Sequence, residues 1–444
     1  MIGQLGAGGP QAIFYVACAV ILLAAAVLAV VLKPVLALWA LAVVFAAELA
    51  TPVPLDASLL RAGGTHVYPA DVLIVVMLIA AVIHLIERPP PARIMLPLSA
   101  AGAVFAANLY RGIAEFGLRH AVNESREWFY FLVTTAFVVA TGPWASRFWR
   151  PWFALAAGLV GLSWFGLARY GLHPVTSQIV VNGQPVDPRP LTAAGALALA
   201  FVLITMLGSR SISAQRKVVF GTLLLGTIVL VQQRTVWVVL ATVFLIWSAA
   251  SLHRYSTSRH RRLATAGVAL LGGTALVLIS GLATGSVLGR SLAETTAKNS
   301  TLQWRLIGWT DLLHSLHTPA AFAFGLPFGS GYRRIVLGAV TNVEPHSLYV
   351  AALLRLGLTG VLALGFLYRN AWKQRRPAAI ELGLSPLTVA LLLVALLVFS
   401  ITYEPGFFAG ALVAGFLSWP RQRALPTTAE TEARLAIPLL DGGP

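Results

Sequence analysis

Arg234 lies in Gln232-Gln233-Arg234-Thr235-Val236-Trp237, a polar break between two apolar runs joined by almost no loop. A charge at such a depth is costly unless it is paired or at work. Arg305 falls at the edge of an apolar stripe, where it either snorkels to an interface or points inward at an anion. Arg126, in Asn123-Glu124-Ser125-Arg126-Glu127-Trp128, sits at the mouth of another apolar run, with Glu124 and Glu127 as candidate ion-pair partners. Glu344-Pro345-His346 opens a further run, and proline suits a helix start. That spacing predicts His346 in the first helical turn, where the helix dipole disfavours imidazolium. A neutral histidine there could take a proton from a hydroxyl; the alternative is a histidine simply hydrogen-bonded at an interface. Anion binding and proton transfer are therefore the chemistry these residues offer.

The elements that must position them are set by composition. Of 444 residues, 58% are hydrophobic and only 11% charged, and the mean hydropathy is +0.80. Soluble domains carry about a quarter charged residues, so lipid must be part of this chain's solvent. The formal charge of +16 resides in short loops between apolar runs, a topology signal rather than a nucleic-acid surface. Cys18 is the single cysteine, which excludes a disulfide framework and a cysteine-based metal site. The first apolar run is too long, and lacks the basic lead-in, for a cleavable signal peptide.

The expected fold is an all-α polytopic membrane protein of about 12–13 transmembrane helices. Its spans fall near 11–32, 35–50, 70–86, 94–110, 127–142, 152–171, 191–208, 218–232, 235–251, 264–283, 346–368, 385–402 and 406–420. Whether Lys33-Pro34 separates two helices or kinks one stays open, since proline does both. Loops carrying Arg88/Arg93, Arg147/Arg150, Arg216/Lys217, Arg254/Arg259, Arg369/Lys373 and Arg421/Arg423 alternate with the others and define a cytoplasmic side. The opposite segments, 51–69, 111–126, 173–190, 284–345 and the tight turn around Arg234, hold seven of the sixteen acidic residues and the arginines that break this bias. The chain divides into a bundle at 1–283, an outer segment at 284–345, further spans at 346–423 and a disordered cytoplasmic tail at 424–444.

The segment 284–345 is too long and too aromatic to be a plain connection. Leu302, Leu306, Trp309, Leu313 and Leu316 recur at helical spacing, which predicts an amphipathic helix with that stripe facing the membrane or bundle. The turn Gly325-Leu-Pro-Phe-Gly-Ser-Gly-Tyr332 lacks the Gly-Lys-Ser/Thr ending of a P-loop, so it offers backbone flexibility and no nucleotide site. No HExxH occurs and no His/Asp/Glu cluster has metal spacing, so neither a metal nor another cofactor is expected.

In order along the chain stand Gln233-Arg234-Thr-Val-Trp237, Arg305 with Trp309, Phe328-Gly-Ser-Gly-Tyr332, Pro345-His346-Ser347-Leu-Tyr349 and Leu356-Gly-Leu-Thr-Gly360. This ordered set resembles the O-antigen ligase and O-antigen polymerase superfamily of membrane glycosyltransferases, best over about 220–365. Ser347 stands where that family often has asparagine. The resemblance implies transfer of a glycan from an undecaprenyl-diphosphate carrier to an acceptor hydroxyl, on the periplasmic face of a bacterial inner membrane. It implies a glycolipid or glycan acceptor, membrane lipid as a partner, and no nucleotide sugar or metal. It implies that Arg234 and Arg305 bind the diphosphate and that His346 deprotonates or orients the acceptor. Arg126 is a further candidate for substrate binding, with Trp309, Glu344 and Tyr349 in support.

Elementary chemistry points the same way. Planar, permanently charged guanidinium groups suit a diphosphate where no metal serves it. Inverting transfer needs a base near the acceptor oxygen and a stabilised leaving group on the opposite face of the sugar. Glu344, Asp311 and Glu124 are alternative bases. Ligase and polymerase differ only in acceptor, and the compact outer segment favours a ligase. A lipid flippase would use the same arginines along a path, but its internal repeats are not evident. A scaffold without chemistry leaves the arginines unexplained.

Overall fold

The computed structural model describes residues 10–49, 60–62, 65–142, 145–173, 179–181, 184–186, 189–209, 211–254, 301–336, 338–404 and 406–417. The expected span at 264–283, the first part of the outer segment and the tail at 424–444 lie outside the described residues.

Apolar runs become helices because a backbone in lipid must satisfy its own hydrogen bonds. In chain order these are α1 (Pro10–Leu32), α2 (Val35–Leu49), α3 (Pro69–Glu87), α4 (Ala92–Phe116), α5 (Leu118–Thr141), α6 (Ala145–Tyr170), α7 (Ala193–Gly208), α8 (Ala214–Leu230) and α9 (Arg234–Arg254). Then follow α10 (Thr301–His314), α11 (Pro319–Phe324), α12 (Leu348–Glu381), α13 (Pro386–Phe399) and α14 (Gly406–Leu417). At Lys33-Pro34 the chain turns by 118°, so the proline separates two helices rather than kinking one.

By length and apolarity, four helices among the described residues can cross a membrane, or up to five if the bent α1–α2 pair is one span. This makes the chain a helical, multi-pass membrane protein. Shorter apolar helices accompany these. α7 and α13 are apolar but only 16 and 14 residues long, about 24 and 21 Å at 1.5 Å per residue, short of a ~30 Å hydrocarbon core. In α7 the run Ala196–Met206 is buried on every side, so it is an internal helix of the bundle. Large apolar side chains such as Leu22, Ile86, Leu96 and Val218 remain exposed, surface that lipid suits and water does not.

Glycines set the closest approaches. A Cβ at Gly410 of α14 would stand 2.5 Å from the Phe131 carbonyl of α5, so only glycine lets these two helices touch. In α12 the helix breaks at Gly357, with φ 61°. A side chain there would meet the Ala323 and Gly325 backbone at 2.5 Å. The Gly325 turn and the Leu356-Gly-Leu-Thr-Gly360 run thus share one backbone contact. Asn108 of α4 supports it, its amide donating to the carbonyls of Phe324 and Arg355.

Among the described residues three two-stranded antiparallel hairpins accompany the helices: β1 (Leu60–Ala62) with β2 (Thr65–Val67), β3 (Ile179–Val181) with β4 (Gln184–Val186), and β5 (Arg333–Val336) with β6 (Ala339–Asn342). All fall in segments read as non-cytoplasmic. Strands of three or four residues are too short to show an alternating pattern.

Candidate functional site

Helix ends gather at one end of the bundle. The Gly325–Tyr332 turn rests on the end of α4 and the start of α5. Phe328 N–H donates to the Asn108 carbonyl at 3.2 Å, and Glu124 accepts from the backbone of Gly329 and Gly331 at 2.7 and 3.0 Å. From the other side Arg355 of α12, buried at 1% exposure, pairs with Glu124. Its guanidinium also donates to Pro327 O at 3.0 Å, Ser330 Oγ at 2.6 Å and Gly331 O at 2.8 Å, and lies 4.5 Å over the Tyr332 ring. Gly329 and Gly331 have φ of 93° and 72°, which glycine alone adopts cheaply. The turn is a rigid wall, fixed by a buried ion pair, rather than the flexible loop expected. Glu124 is committed to that wall, and Asp311 likewise accepts from Ile335 N–H at 3.0 Å.

α10 leans on this wall through Arg305, Gly308 and Leu312. Leu306 and Leu313 are exposed at 51% and 37%, whereas Arg305, Gly308 and Leu312 are buried. Gly308 admits Arg334, whose Nε would lie 2.6 Å from a Cβ there. Arg334 donates to the carbonyls of Tyr332 and Val343 and stacks 4.9 Å over Trp304. Arg305, on the same face, is buried to 8% exposure. Its guanidinium lies 4.7 Å over the ring of Tyr403, its Nε has no hydrogen-bond partner, and no carboxylate pairs with it among the described residues.

Trp309, one turn further along α10, donates its indole N–H to the Pro345 carbonyl at 2.6 Å. His346 follows directly. It is not in the first turn of α12 as expected: the helix starts at Leu348, with Ser347 as N-cap accepting from Val350 N–H. Serine and asparagine are both strong N-caps, so Ser347 can do here what an asparagine would. Leu348 N–H donates to Ser400 O at 3.0 Å, bringing the end of α13 alongside. His346 adopts φ 51° and its ring lies 5.9 Å from that of Tyr403. Burial, reinforced by the Arg305 and Arg334 cations, lowers its pKa from 6.5 to about 4. The ring is therefore neutral at pH 7, through desolvation and neighbouring charge rather than through the first-turn position expected.

Arg234, half-buried, is the first residue of α9. The preceding Gln232 and Gln233 tie the break to the bundle, donating to His173 O at 2.9 Å and Leu191 O at 3.0 Å. Thr235, next to Arg234, accepts from the Thr402 hydroxyl at 3.1 Å, and Thr402 precedes Tyr403. Thr235, Arg305 and His346 thus all meet the turn between α13 and α14. Gln232, at φ 58°, and His346 are the non-glycine positions of positive φ among the described residues. Such backbone costs on the order of 1–3 kcal/mol and clusters at functional sites.

Arg126 stands elsewhere. Its Nε meets Asp71 Oδ1 at 3.1 Å, its Nη2 donates to His66 O at 2.8 Å, and it stacks 4.8 Å over Tyr68. Its ion-pair partner is Asp71 of α3 rather than Glu124 or Glu127. Tyr130 donates to the same carboxylate at 2.6 Å, so Arg126 joins α3 to α5. Tyr349 donates to Leu397 O at 2.9 Å and joins α12 to α13. Glu344 is exposed beside His346.

Three residues absent from the sequence-derived site matter here. Tyr403 touches both Arg305 and His346. Glu404, with Oε1 buried and lacking a hydrogen-bond partner, has its pKa pushed well above the carboxylate range by burial and then by the Glu344 and Glu127 charges. Arg355 holds the wall. The signal that flagged Arg234, a charge breaking apolar sequence, would also have found Arg355 and Glu404. Among the described residues no group of three or more His, Cys, Asp or Glu is placed to hold a metal ion. No protein-family model matches the chain, and no curated protein matches it.

Proposed function

We propose that this chain is a membrane glycosyltransferase of O-antigen ligase type. It moves a glycan from an undecaprenyl-diphosphate carrier to an acceptor hydroxyl at the periplasmic face of the inner membrane, with the polar end of the bundle facing the periplasm. The observation that carries this reading is Arg305: a buried guanidinium without a carboxylate partner among the described residues, beside a neutral histidine. A buried cation without a counter-ion favours an anionic ligand, and a diphosphate supplies charge in the planar geometry a guanidinium reads.

In the reaction the glycosidic C1–O bond to the diphosphate breaks as the acceptor oxygen bonds C1 from the opposite face. The acceptor's proton passes to His346, and undecaprenyl diphosphate departs on Arg305, with Arg234 at the same end of the bundle. Charge developing on the leaving oxygens meets donors already oriented, which is where such sites gain most. Donor binding also couples to the base. Diphosphate charge beside Arg305 offsets the repulsion that depresses His346, so the imidazole becomes more basic once the donor is in place.

The test is transfer by purified protein from a lipid-diphosphate-linked glycan to a glycolipid acceptor. Product and released undecaprenyl diphosphate should appear one for one, with kcat/KM at least ~100-fold lower in Arg305→Ala, as expected when a charge-stabilising donor is removed. Full activity in Arg305→Ala would sink the site assignment. Movement of labelled lipid across vesicles without glycosidic product would instead support a flippase.

A further inference from the structure

Tyr403 occupies a position that the proposed chemistry does not itself explain. It sits in the short turn after α13, its N–H donating to Phe399 O at 3.1 Å. Its ring stacks on the fully buried Phe399 at 5.3 Å and an interplanar angle of 22°. Anchored there, it receives the Arg305 guanidinium at 4.7 Å and the His346 ring at 5.9 Å and 56°. Arg305 comes from α10 and His346 from the approach to α12, so a third element holds the two groups in register. Among the described residues the aromatic face is the partner of Arg305, and it leaves the guanidinium N–H donors uncommitted. A carboxylate in the same place would bind those donors and cancel the charge.

Resting on the reading above, we propose that Tyr403 is the positioning residue of this site: its ring fixes the anion-binding Arg305 and the proton acceptor His346 relative to one another without consuming the hydrogen-bond donors of the arginine. The ring makes these contacts, so phenylalanine preserves the arrangement and an aliphatic residue does not. Arg305 from α10 and Arg334 from β5 are the charged groups acting on His346, with Glu344 in its own loop and Glu404 beside Tyr403.

The experiment uses the full chain in lipid nanodiscs and two readouts. One is binding of fluorescent undecaprenyl diphosphate. The other is the His346 titration, followed by NMR of labelled histidine and assigned with His346→Gln. Tyr403→Leu should bind the probe about tenfold more weakly, and its His346 titration should move up from about 4 toward 6.5 as water enters and Arg305 is released. Tyr403→Phe should match the wild type in both. A folded Tyr403→Leu that matches the wild type in both readouts overturns the proposal, as does a Tyr403→Phe as impaired as Tyr403→Leu. If Tyr403→Leu does not fold, Tyr403→Met, similar in bulk and without a π face, is judged by the same results. Arg305→Ala separates the two levels. Unchanged probe binding there removes the diphosphate reading, while the His346 titration still decides the role of Tyr403.

Discussion

The indole N–H of Trp309 donates to the carbonyl of Pro345 at 2.6 Å, and this bond sets the spacing between the helix that carries Arg305 and the loop that carries His346. Without it α10 would have no polar anchor at that point of the loop. Trp309→Phe keeps most of the ring and removes the donor. Stability should fall by about 1 kcal/mol, the usual net worth of one hydrogen bond, while kcat for glycan transfer should fall about tenfold through misplacement. Thermal unfolding and steady-state kinetics on one preparation separate the two effects. Equal kcat in the variant would show that the bond does not position the site.

Glu124→Ala leaves Arg355 buried at 1% exposure without its carboxylate and frees the Gly329 and Gly331 amides. Loss of one partner of a buried pair costs roughly 3–5 kcal/mol. The variant should unfold at markedly lower temperature, and the double variant with Arg355→Met should recover part of the loss. Additive losses in that cycle would show that the pair is not coupled.

Arg126 and Asp71 yield the opposite expectation from Arg305. The pair links α3 to α5, so Arg126→Met should lower the unfolding temperature and leave the KM for donor within about twofold, since the lost contacts are local. A KM rise comparable to that of Arg305→Ala would return Arg126 to the substrate site.

His346 makes stability depend on pH with a definite sign. Its folded-state pKa lies below the ordinary value, about 4 against 6.5. Above pH 6.5 both states are neutral there and the contribution is complete. Between 6.5 and about 4 the unfolded chain takes up a proton that the folded one refuses, so stability falls as pH falls. Unfolding temperature measured from pH 7 to pH 4 should drop less steeply in His346→Gln. Parallel curves would mean that His346 is not buried beside Arg305 and Arg334.

Much of the fold was legible because apolar runs and their breaks carry helix positions directly. The proline at Pro34, the helix from Thr301 and the ordered Arg234, Arg305 and His346 stood out as residue types out of keeping with their surroundings. What escaped depends on partners far away in sequence. The burial of Arg305 beside Gly308 and Arg334 is a packing relation that periodicity cannot express. Tyr403 and Glu404 lie in a three-residue break between apolar runs and gain meaning only beside α10 and the loop before α12. Arg126 resembled Arg305 in sequence, and only the position of Asp71 distinguishes a joint between helices from a group available to a ligand.

The decisive measurement for base catalysis at His346 is single-turnover transfer from lipid-diphosphate-linked glycan, comparing wild type with His346→Ala at saturating donor. Rapid product formation is expected in the wild type and a loss of at least ~100-fold in the variant, the range of a general base, with donor binding retained. Equal rates in the two proteins, or no transfer by the wild type under conditions where donor binds, would contradict that role.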